Sequence, residues 1–479
     1  MTLSDRRRSS DNTRFTRRQF LKAGALGGAA LIATRSLWTQ AAAAQTARRP
    51  NVLFIISDQL GIDALSAAGC PYVRTPNMDR LVRSGFSFNL SHTTDPVCSP
   101  ARSSLFTSRM PSETGVVYNG LPIRADIPNM GQWLSKEGYE TIYMGKWHVP
   151  EPMPIEIKGF KVIPAGIGGH GHMGDPAVSR SCEGYLRNRS RSKPFLLVAS
   201  FIQPHDICQW TSAHLSAPDV LPYPEIAGRL PPLPPNFHYD KREPAKLQRR
   251  RPAWSERQWG YFLWSYYRQV EMVDAEIGRV LQALEDSGEA QNTLVVLTAD
   301  HGEGRGRHQW TGKNAPYEES VKVPLVLCLP GRAPAGGQDS THLVSGLDIM
   351  PTVCDYAGIK PPDKVFGRSL RPIMEGKPVE WRPCVVAEVQ VTGRMLRTAD
   401  HKYVKFQDDP VEQLFDMKND PWETKNLAGE SRCAAVLEEH RKLLREWESG
   451  LDVAPAPVGR KGRRKQGARE KAGQDKNEE

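Results

Sequence analysis

The chain has 479 residues, of which 39% are hydrophobic and 25% charged, the balance of a soluble globular protein with room for one large unit and a smaller one. The formal net charge of +10 is confined to the ends. Residues 1–44 carry net +6 and residues 453–479 net +4, so residues 45–452 are neutral. A nucleic-acid-binding protein concentrates basic charge on a folded face, and this distribution argues against one.

The N-terminus reads as an address. Thr16-Arg17-Arg18-Gln19-Phe20-Leu21-Lys22 is a twin-arginine signature, followed by a weakly apolar stretch from Ala23 to Ala33 and an Ala-rich cleavage site at Ala42-Ala43-Ala44. The apolar run is too short and Gly-rich to span a bilayer. The expectation is a signal peptide over residues 1–44, engagement of the twin-arginine export machinery, and a periplasmic or extracellular mature protein. Eight cysteines are scattered without a CxxC pair, so neither a zinc site nor a disulfide framework is predicted. Cys328, inside the apolar run Val323–Leu329, reads as a buried small hydrophobe.

Four apolar runs of strand length each end on polar, ionisable residues. Asn51–Ser57 ends at Asp58-Gln59, and Tyr139–Met144 at Lys146-Trp147-His148. Phe195–Ile202 ends at Pro204-His205-Asp206, and Thr293–Thr298 at Asp300-His301-Gly302. Runs apolar on both faces suit a parallel sheet covered by helices, and such sheets bind ligands beyond their carboxyl ends. Helical patterns lie between them. Met130, Trp133 and Leu134 precede a stop at Gly138, and Tyr261–Leu284 carries Val270, Val273, Ile277 and Val280 on one face. Residues 209–257 hold nine prolines, too many for helix or central strand, and read as a long irregular segment at the rim of the site. Its Arg249-Arg250-Arg251 run and its Trp210 and Trp254 suggest contacts to an anionic glycan. Residues 453–479 have the composition of a disordered basic tail.

The most specific feature is Cys98-Ser99-Pro100-Ala101-Arg102, continuing through Thr107-Ser108-Arg109. This C-x-P-x-R pattern resembles the sulfatase signature. The resemblance extends through Pro50–Asp58, Thr75–Leu81, Gly145-Lys146-Trp147-His148, Pro204-His205, Asp300-His301-Gly302, Lys313, Tyr317–Ser320 and a closing segment from Gln413 to Leu427. It implies an α/β fold like that of alkaline phosphatase: a mostly parallel sheet flanked by helices over residues 45–375, then a smaller antiparallel sheet-plus-helix domain over 376–452. It also implies that a formylglycine-generating maturation enzyme oxidises Cys98 to an aldehyde. The hydrated aldehyde supplies an oxygen nucleophile, and its second hydroxyl gives sulfate an exit that a serine would lack.

By the same resemblance, Asp58, Gln59, Asp300 and His301 hold a divalent metal completed by residue 98. Arg102 and Lys146 hold the hydrate, His148 takes the proton that triggers sulfate release, and His205 and Lys313 bind sulfate oxygens. Were Ser103 onward helical, the amides of its first turn would favour the anion. Many sulfatases carry a second Asp at the place of Gln59 and Asn at that of His301. The pattern here is closer to choline sulfatases and phosphonate monoester hydrolases. Ca²⁺ is the expected ion, with Mn²⁺ or a similar ion as the alternative favoured by a nitrogen ligand. The expected substrate is a sulfated small molecule or carbohydrate; a phosphonate or phosphate ester is the alternative, and a glycan-binding pseudoenzyme a third reading.

Overall fold

A computed structural model describes residues 48–163, 170–215, 224–248 and 251–455. The expected leader, nearly all of the basic tail, and residues 216–223 and 249–250 of the proline-rich segment lie outside the described residues. From Arg49 onward the chain forms one compact unit. No helix among the described residues is long and apolar enough to cross a membrane.

The main sheet has eight strands in the order β5-β4-β6-β1-β7-β8-β2-β9. They are β1 (Asn51–Asp58), β2 (Phe86–Phe88), β4 (Glu140–Gly145), β5 (Lys161–Val162), β6 (Phe195–Pro204), β7 (Thr293–Ala299), β8 (Leu325–Cys328) and β9 (Gly337–Asp339). A two-residue pair, β3 (Ser91–His92) with β10 (Val344–Ser345), stands apart. The four central strands β4, β6, β1 and β7 are mutually parallel; β8 runs antiparallel to β7, and β2 antiparallel to β8.

Side chains alternate between the two faces of a strand, so a sheet covered on both sides needs apolar residues at every position. Leu53, Ile55, Leu197, Ala199, Val295 and Leu297 pack on one face with helices Pro76–Ser84, Gly171–Asn188 and Glu256–Asp286. Val52, Phe54, Ile56, Leu196, Val198 and Val296 pack on the other, against helices Cys98–Thr107, Met130–Lys136 and Ile349–Ala357. The 31-residue helix Glu256–Asp286 starts at a capping box, Ser255 with Gln258, and buries Val270, Val273, Ile277 and Val280. Helix Met130–Lys136 has the same device in Asn129 and Gln132, and Gly138 follows it at a φ of 89°.

Four antiparallel strands close the chain: β11 (Val385–Val389), β12 (Gly393–Arg397), β13 (His401–Phe406) and β14 (Gln413–Asp416). One face holds helix Ala434–Ser449 through Leu437 and Leu444. The other packs Ala387, Val389, Met395, Val404, Phe406 and Phe415 onto Trp310, Ala315, Tyr317 and Val321. The fold is therefore the predicted one, a mostly parallel α/β sheet with a small C-terminal antiparallel sheet and helix.

The proline-rich segment differs from its sequence reading. Trp254 is buried and Trp210 half-buried, and both pack edge-on or tilted with Trp259 and Phe262 in an aromatic cluster, with Trp210–Trp254 centroids 5.6 Å and Trp254–Trp259 centroids 4.9 Å apart. Arg251 is also spent internally. It pairs with Glu243 at 2.5 Å, donates to the His308 carbonyl at 2.9 Å and lies over the Tyr239 ring at 3.6 Å. All eight cysteines lie among the described residues and all are unpaired.

Candidate active site

The parallel strands deliver their carboxyl ends to one edge, and the predicted residues meet there. Asp58 ends β1, Lys146 follows β4, His205 follows β6, and Asp300-His301 follow β7. The turns are constrained. Gly145 has a φ of 98°, and a Cβ there would lie 1.9 Å from the Ser200 carbonyl oxygen, so only glycine fits before Lys146. A Cβ on Gly302 would meet the Glu319 carbonyl at 2.1 Å. Gln59 and His148 are non-glycine residues in left-handed backbone, at φ of 70° and 63°. Such conformations persist where their surroundings over-determine them. Gln59 is held by its amide donating to Asp300 Oδ1 at 3.1 Å and its carbonyl accepting from the Tyr266 hydroxyl at 2.9 Å.

Cys98 enters on the first turn of helix Cys98–Thr107. The helix starts five residues before Ser103, so residue 98 itself sits at the positive end of the helix dipole. Its Sγ is 2.9 Å from Lys313 Nζ, 3.2 Å from His301 Nε2, 3.7 Å from Asp58 Oδ1 and 3.8 Å from Lys146 Nζ. His148 and His205 also lie beside Cys98. The Nδ1 atoms of both are buried without a hydrogen-bond partner.

Arg102 is fully buried one helical turn on. Nε donates to Asp300 Oδ2 at 2.8 Å and Nη2 to Asp58 Oδ2 at 3.1 Å, while Nη1 donates to the Lys146 carbonyl at 2.7 Å and Ser200 Oγ at 2.9 Å. It therefore ties three strand ends together. Lys146 Nζ completes the pairing of Asp58 at 2.6 Å.

The electrostatics favour negative charge at residue 98. Burial pushes the thiol up, but Lys146, Lys313 and His301 outweigh it and hold Cys98 well below the ordinary thiol range. The sulfur occupies the position from which the oxygens of a matured residue would act. Burial, then Lys146 and Lys313, keep His205 toward its neutral form. Asp58 lies below the ordinary carboxylate range because Lys146, His205 and Arg102 overcome its burial and the Cys98 charge. Asp300 is raised, by burial first and then by the neighbouring Asp58 carboxylate.

This donor set fits a cation. Ligand atoms of Asp58, Cys98, Asp300 and His301 lie within 4.8 Å of one another, all buried. His301 Nδ1 faces the Gly302 carbonyl at 2.9 Å, so that nitrogen carries a proton and Nε2 faces the cluster, where it would give its lone pair to a cation in place of a second proton. The repulsion between Asp58 and Asp300 is what a bound cation relieves. Beside the cluster, Gln59 Oε1 accepts from Lys313 Nζ at 3.1 Å, and Nε2 donates to Glu303 and to Cys208 Sγ at 3.2 Å.

Three neighbours escape a sequence reading. Glu303 anchors Gln59 and accepts from the Gly312 amide; it lies one residue past the Asp300-His301-Gly302 run, which was the only signal for it. Cys208, whose thiol burial pushes up to about 11, fills the space beside Gln59. Ser200 is hidden inside β6 and donates to the Lys146 carbonyl at 2.6 Å, with Tyr143 donating to the same oxygen at 2.7 Å.

The family model described as Sulfatase matches residues 50–151 and 158–359. The chain belongs to the sulfatase family. A second model, N-sulphoglucosamine sulphohydrolase, C-terminal, matches residues 306–449 and so spans the sulfatase's antiparallel sheet. Among relatives, the Delta 4,5-hexuronate-2-O-sulfatase of Bacteroides thetaiotaomicron is 31% identical, over 85% of this chain and 90% of its own. A crystal structure of a candidate sulfatase from the same organism superposes with a TM-score of 0.77 at 28% identity, over 86% of this chain and 96% of its own. The phosphonate monoester hydrolase of Agrobacterium radiobacter superposes with a TM-score of 0.72 at 25% identity, over 84% and 96%. This sulfatase is a sulfate ester hydrolase of mixed α/β fold.

Proposed function

We propose that this sulfatase hydrolyses sulfate esters of a carbohydrate, with Cys98 matured to formylglycine and a divalent cation held by Asp58, Gln59, Asp300 and His301. The carrying observation is the convergence of Lys146, Lys313 and His301 on Cys98, with His148 and His205 beside it, an anion-stabilising nest around the one residue the C-x-P-x-R pattern marks for oxidation. The hydrated aldehyde supplies the nucleophilic oxygen and the second hydroxyl through which sulfate departs. The cation, when bound, lowers the charge on the sulfate and on the attacking oxygen.

The remaining work belongs to side chains. Lys313 and Lys146 flank residue 98 and neutralise sulfate oxygens. His148 accepts the proton that must leave residue 98 when sulfate departs. His205, held toward neutrality, binds the sulfate on the side of the leaving alcohol. Arg102 positions Asp58, Asp300 and the Lys146 carbonyl rather than touching substrate. His301 gives the cation a nitrogen among oxygens, so Ca²⁺ is proposed with Mn²⁺ as the competitor. A carbohydrate ester is favoured by the relative that acts on a sulfated hexuronate. The Asp58-Gln59 and Asp300-His301 set, together with the phosphonate monoester hydrolase likeness, supports phosphonate or phosphate ester cleavage as the second reading. The twin-arginine signature supports maturation before export to the periplasm or beyond.

Peptide mass spectrometry of active protein should find formylglycine at position 98. Sulfate should be released from sulfated sugars faster than phosphate from mono- or diesters. Cys98→Ala should abolish turnover, and Asp58→Ala or Asp300→Ala should lose metal and activity together. Full activity from unmodified Cys98, unchanged metal in the Asp variants, or faster phosphoester turnover would each overturn the corresponding part.

A further inference from the structure

The first turn of helix Gly171–Asn188 is fastened to the end of β6 by two buried carboxylates that work in opposite directions. Asp175, on the helix, accepts from the amides of Ile202 and Gln203 at 2.7 and 2.8 Å. Asp206, past the end of the strand, accepts from the amides of Gly171 at 3.0 Å and His172 at 3.2 Å. The close approach depends on Gly171, where a Cβ would stand 2.6 Å from Gln203 Cγ and 2.8 Å from the Gln203 backbone nitrogen. This reciprocal pairing fixes the orientation of the Asp206 carboxylate, and the Gln203 side-chain amide braces it by donating to Oδ2 at 2.8 Å.

Gly171 stands between two histidines, and the helix start brings both rings to this carboxylate. His172 Nδ1 lies 3.0 Å from Asp206 Oδ2. His170 joins them: one ligand atom from each of His170, His172 and Asp206 lies within 4.8 Å of the other two. The two imidazole centroids are 5.4 Å apart and the rings tilted by 59°, so they meet without stacking. Capping of the helix accounts for Asp206, and a hydrogen bond to that carboxylate accounts for His172. Neither accounts for His170, whereas an ion shared by all three residues does.

In a tetrahedral zinc site with bonds of about 2.0–2.1 Å, neighbouring ligand atoms lie about 3.3 Å apart. The separation of His172 from Asp206 is already close to that, and the half-buried His170 ring has only to close on the pair. Two imidazole nitrogens and one carboxylate oxygen suit Zn²⁺ rather than Ca²⁺, which takes oxygen ligands. His172 is exposed, so water reaches the remaining position. The helix dipole disfavours positive charge at this end, and the Asp206 carboxylate offsets it.

We propose that His170, His172 and Asp206 form a second metal site, selective for Zn²⁺ over Ca²⁺ and separate from the cluster of Asp58, Asp300 and His301. Asp206 directly follows His205, so an ion bound there ties the helix start to the turn that carries His205 beside Cys98. The inference goes beyond the sulfatase reading and does not depend on it, because it uses none of the residues assigned to sulfate.

The test titrates untagged, Ca²⁺-saturated enzyme with Zn²⁺ by isothermal calorimetry. Wild type should bind one equivalent of Zn²⁺ and gain about 2–3 °C in Tm at a hundredfold excess over Kd. His170→Ala and His172→Ala should each weaken that binding at least tenfold and keep the Zn²⁺-free Tm, since neither ring is buried. Asp300→Ala, which disables the other cluster, should still bind Zn²⁺ with wild-type affinity. Co²⁺ in place of Zn²⁺ should give wild type a visible absorption band of tetrahedral coordination that His172→Ala lacks. Anomalous diffraction at the zinc edge from wild-type crystals, which needs no variant, should place the ion between the three residues. Wild-type affinity in both histidine variants, loss of the extra equivalent in Asp300→Ala alone, or an edge signal confined to the Asp58 and Asp300 cluster would overturn the second site.

Discussion

Arg102 shows how a residue can be legible in sequence while its partners are not. The C-x-P-x-R spacing marks it, and helical geometry puts it four residues past Cys98 on the same face. Its four donated hydrogen bonds, however, go to Asp300, Asp58, the Lys146 carbonyl and Ser200, contacts between strand ends that spacing along the chain does not encode. Gln59 is similar: its position after Asp58 is plain from sequence, but its engagement by Glu303 and Lys313 is not. Removing a partner from a buried ion pair leaves uncompensated charge and costs about 3–5 kcal/mol. Arg102→Ala should therefore destabilise the fold by about that amount in urea titrations, since Asp58 and Asp300 stay buried. Arg102→Lys should recover charge but not the forked geometry, and fall between. Saturating divalent cation should narrow the gap, because it binds the same two carboxylates only in the folded state. An Arg102→Ala protein of wild-type stability without metal would remove the positioning role.

At the scale of elements, what could be read were the long runs with a single period. The four central strands are apolar throughout because helices cover both faces, and the helix Glu256–Asp286 announces itself by Val270, Val273, Ile277 and Val280. Short elements carry too few residues to show a period. The start of helix Cys98–Thr107 was hidden because Val97, its N-cap, supplies no side-chain cap, and the segment is buried all round. Charged pairs that brace such elements were equally hidden. His308 Nδ1 meets Glu319 Oε1 at 2.9 Å, its ring stacks on Tyr317 with centroids 3.9 Å apart, and both partners are buried. Burial opposes charge on His308, but Glu319 prevails and raises its pKa; in Glu319 the reverse balance lowers it. A raised histidine contributes stability that is fully present below its unfolded pKa of about 6.5 and lost as pH rises through the folded value. The glutamate's contribution is present above its ordinary value and lost as pH falls through the lowered one. Between pH 6 and 9 the wild type should thus lose more stability in urea titrations than His308→Gln. Parallel pH profiles for the two proteins would show that the pair is not charged in the fold.

Across the whole molecule, the small antiparallel sheet was legible as a separate unit only from the family resemblance, and the structure joins it to the catalytic loops more closely than a linker between domains would. Lys402, on β13, is fully buried, with Nζ 2.8 Å from Glu318 and 2.7 Å from Glu423, and it donates to the Pro316 carbonyl at 3.2 Å. Glu423 in turn accepts from the Glu318 amide at 2.7 Å. These contacts hold the stretch that follows Lys313, so the C-terminal sheet helps set the position of a residue that touches Cys98. The same sheet buries Trp310 and Tyr317, which would face water without it. A shared apolar core and a buried ion network couple unfolding of the two parts. Unfolding in guanidinium, followed by tryptophan fluorescence and by far-ultraviolet circular dichroism, should therefore give coincident single transitions. Lys402→Ala takes the ion-pair partner from Glu423 and leaves Glu318 with His92 and the more distant Lys322, and should lower the midpoint for both probes together, by about 3–5 kcal/mol in stability. Lys402→Met, which fills the space without the charge, should leave Glu423 without an ion-pair partner and rescue little. Two separated transitions, or a Lys402→Ala effect on one probe alone, would mean that the C-terminal sheet folds by itself and that the Lys313 loop owes its position to the main sheet.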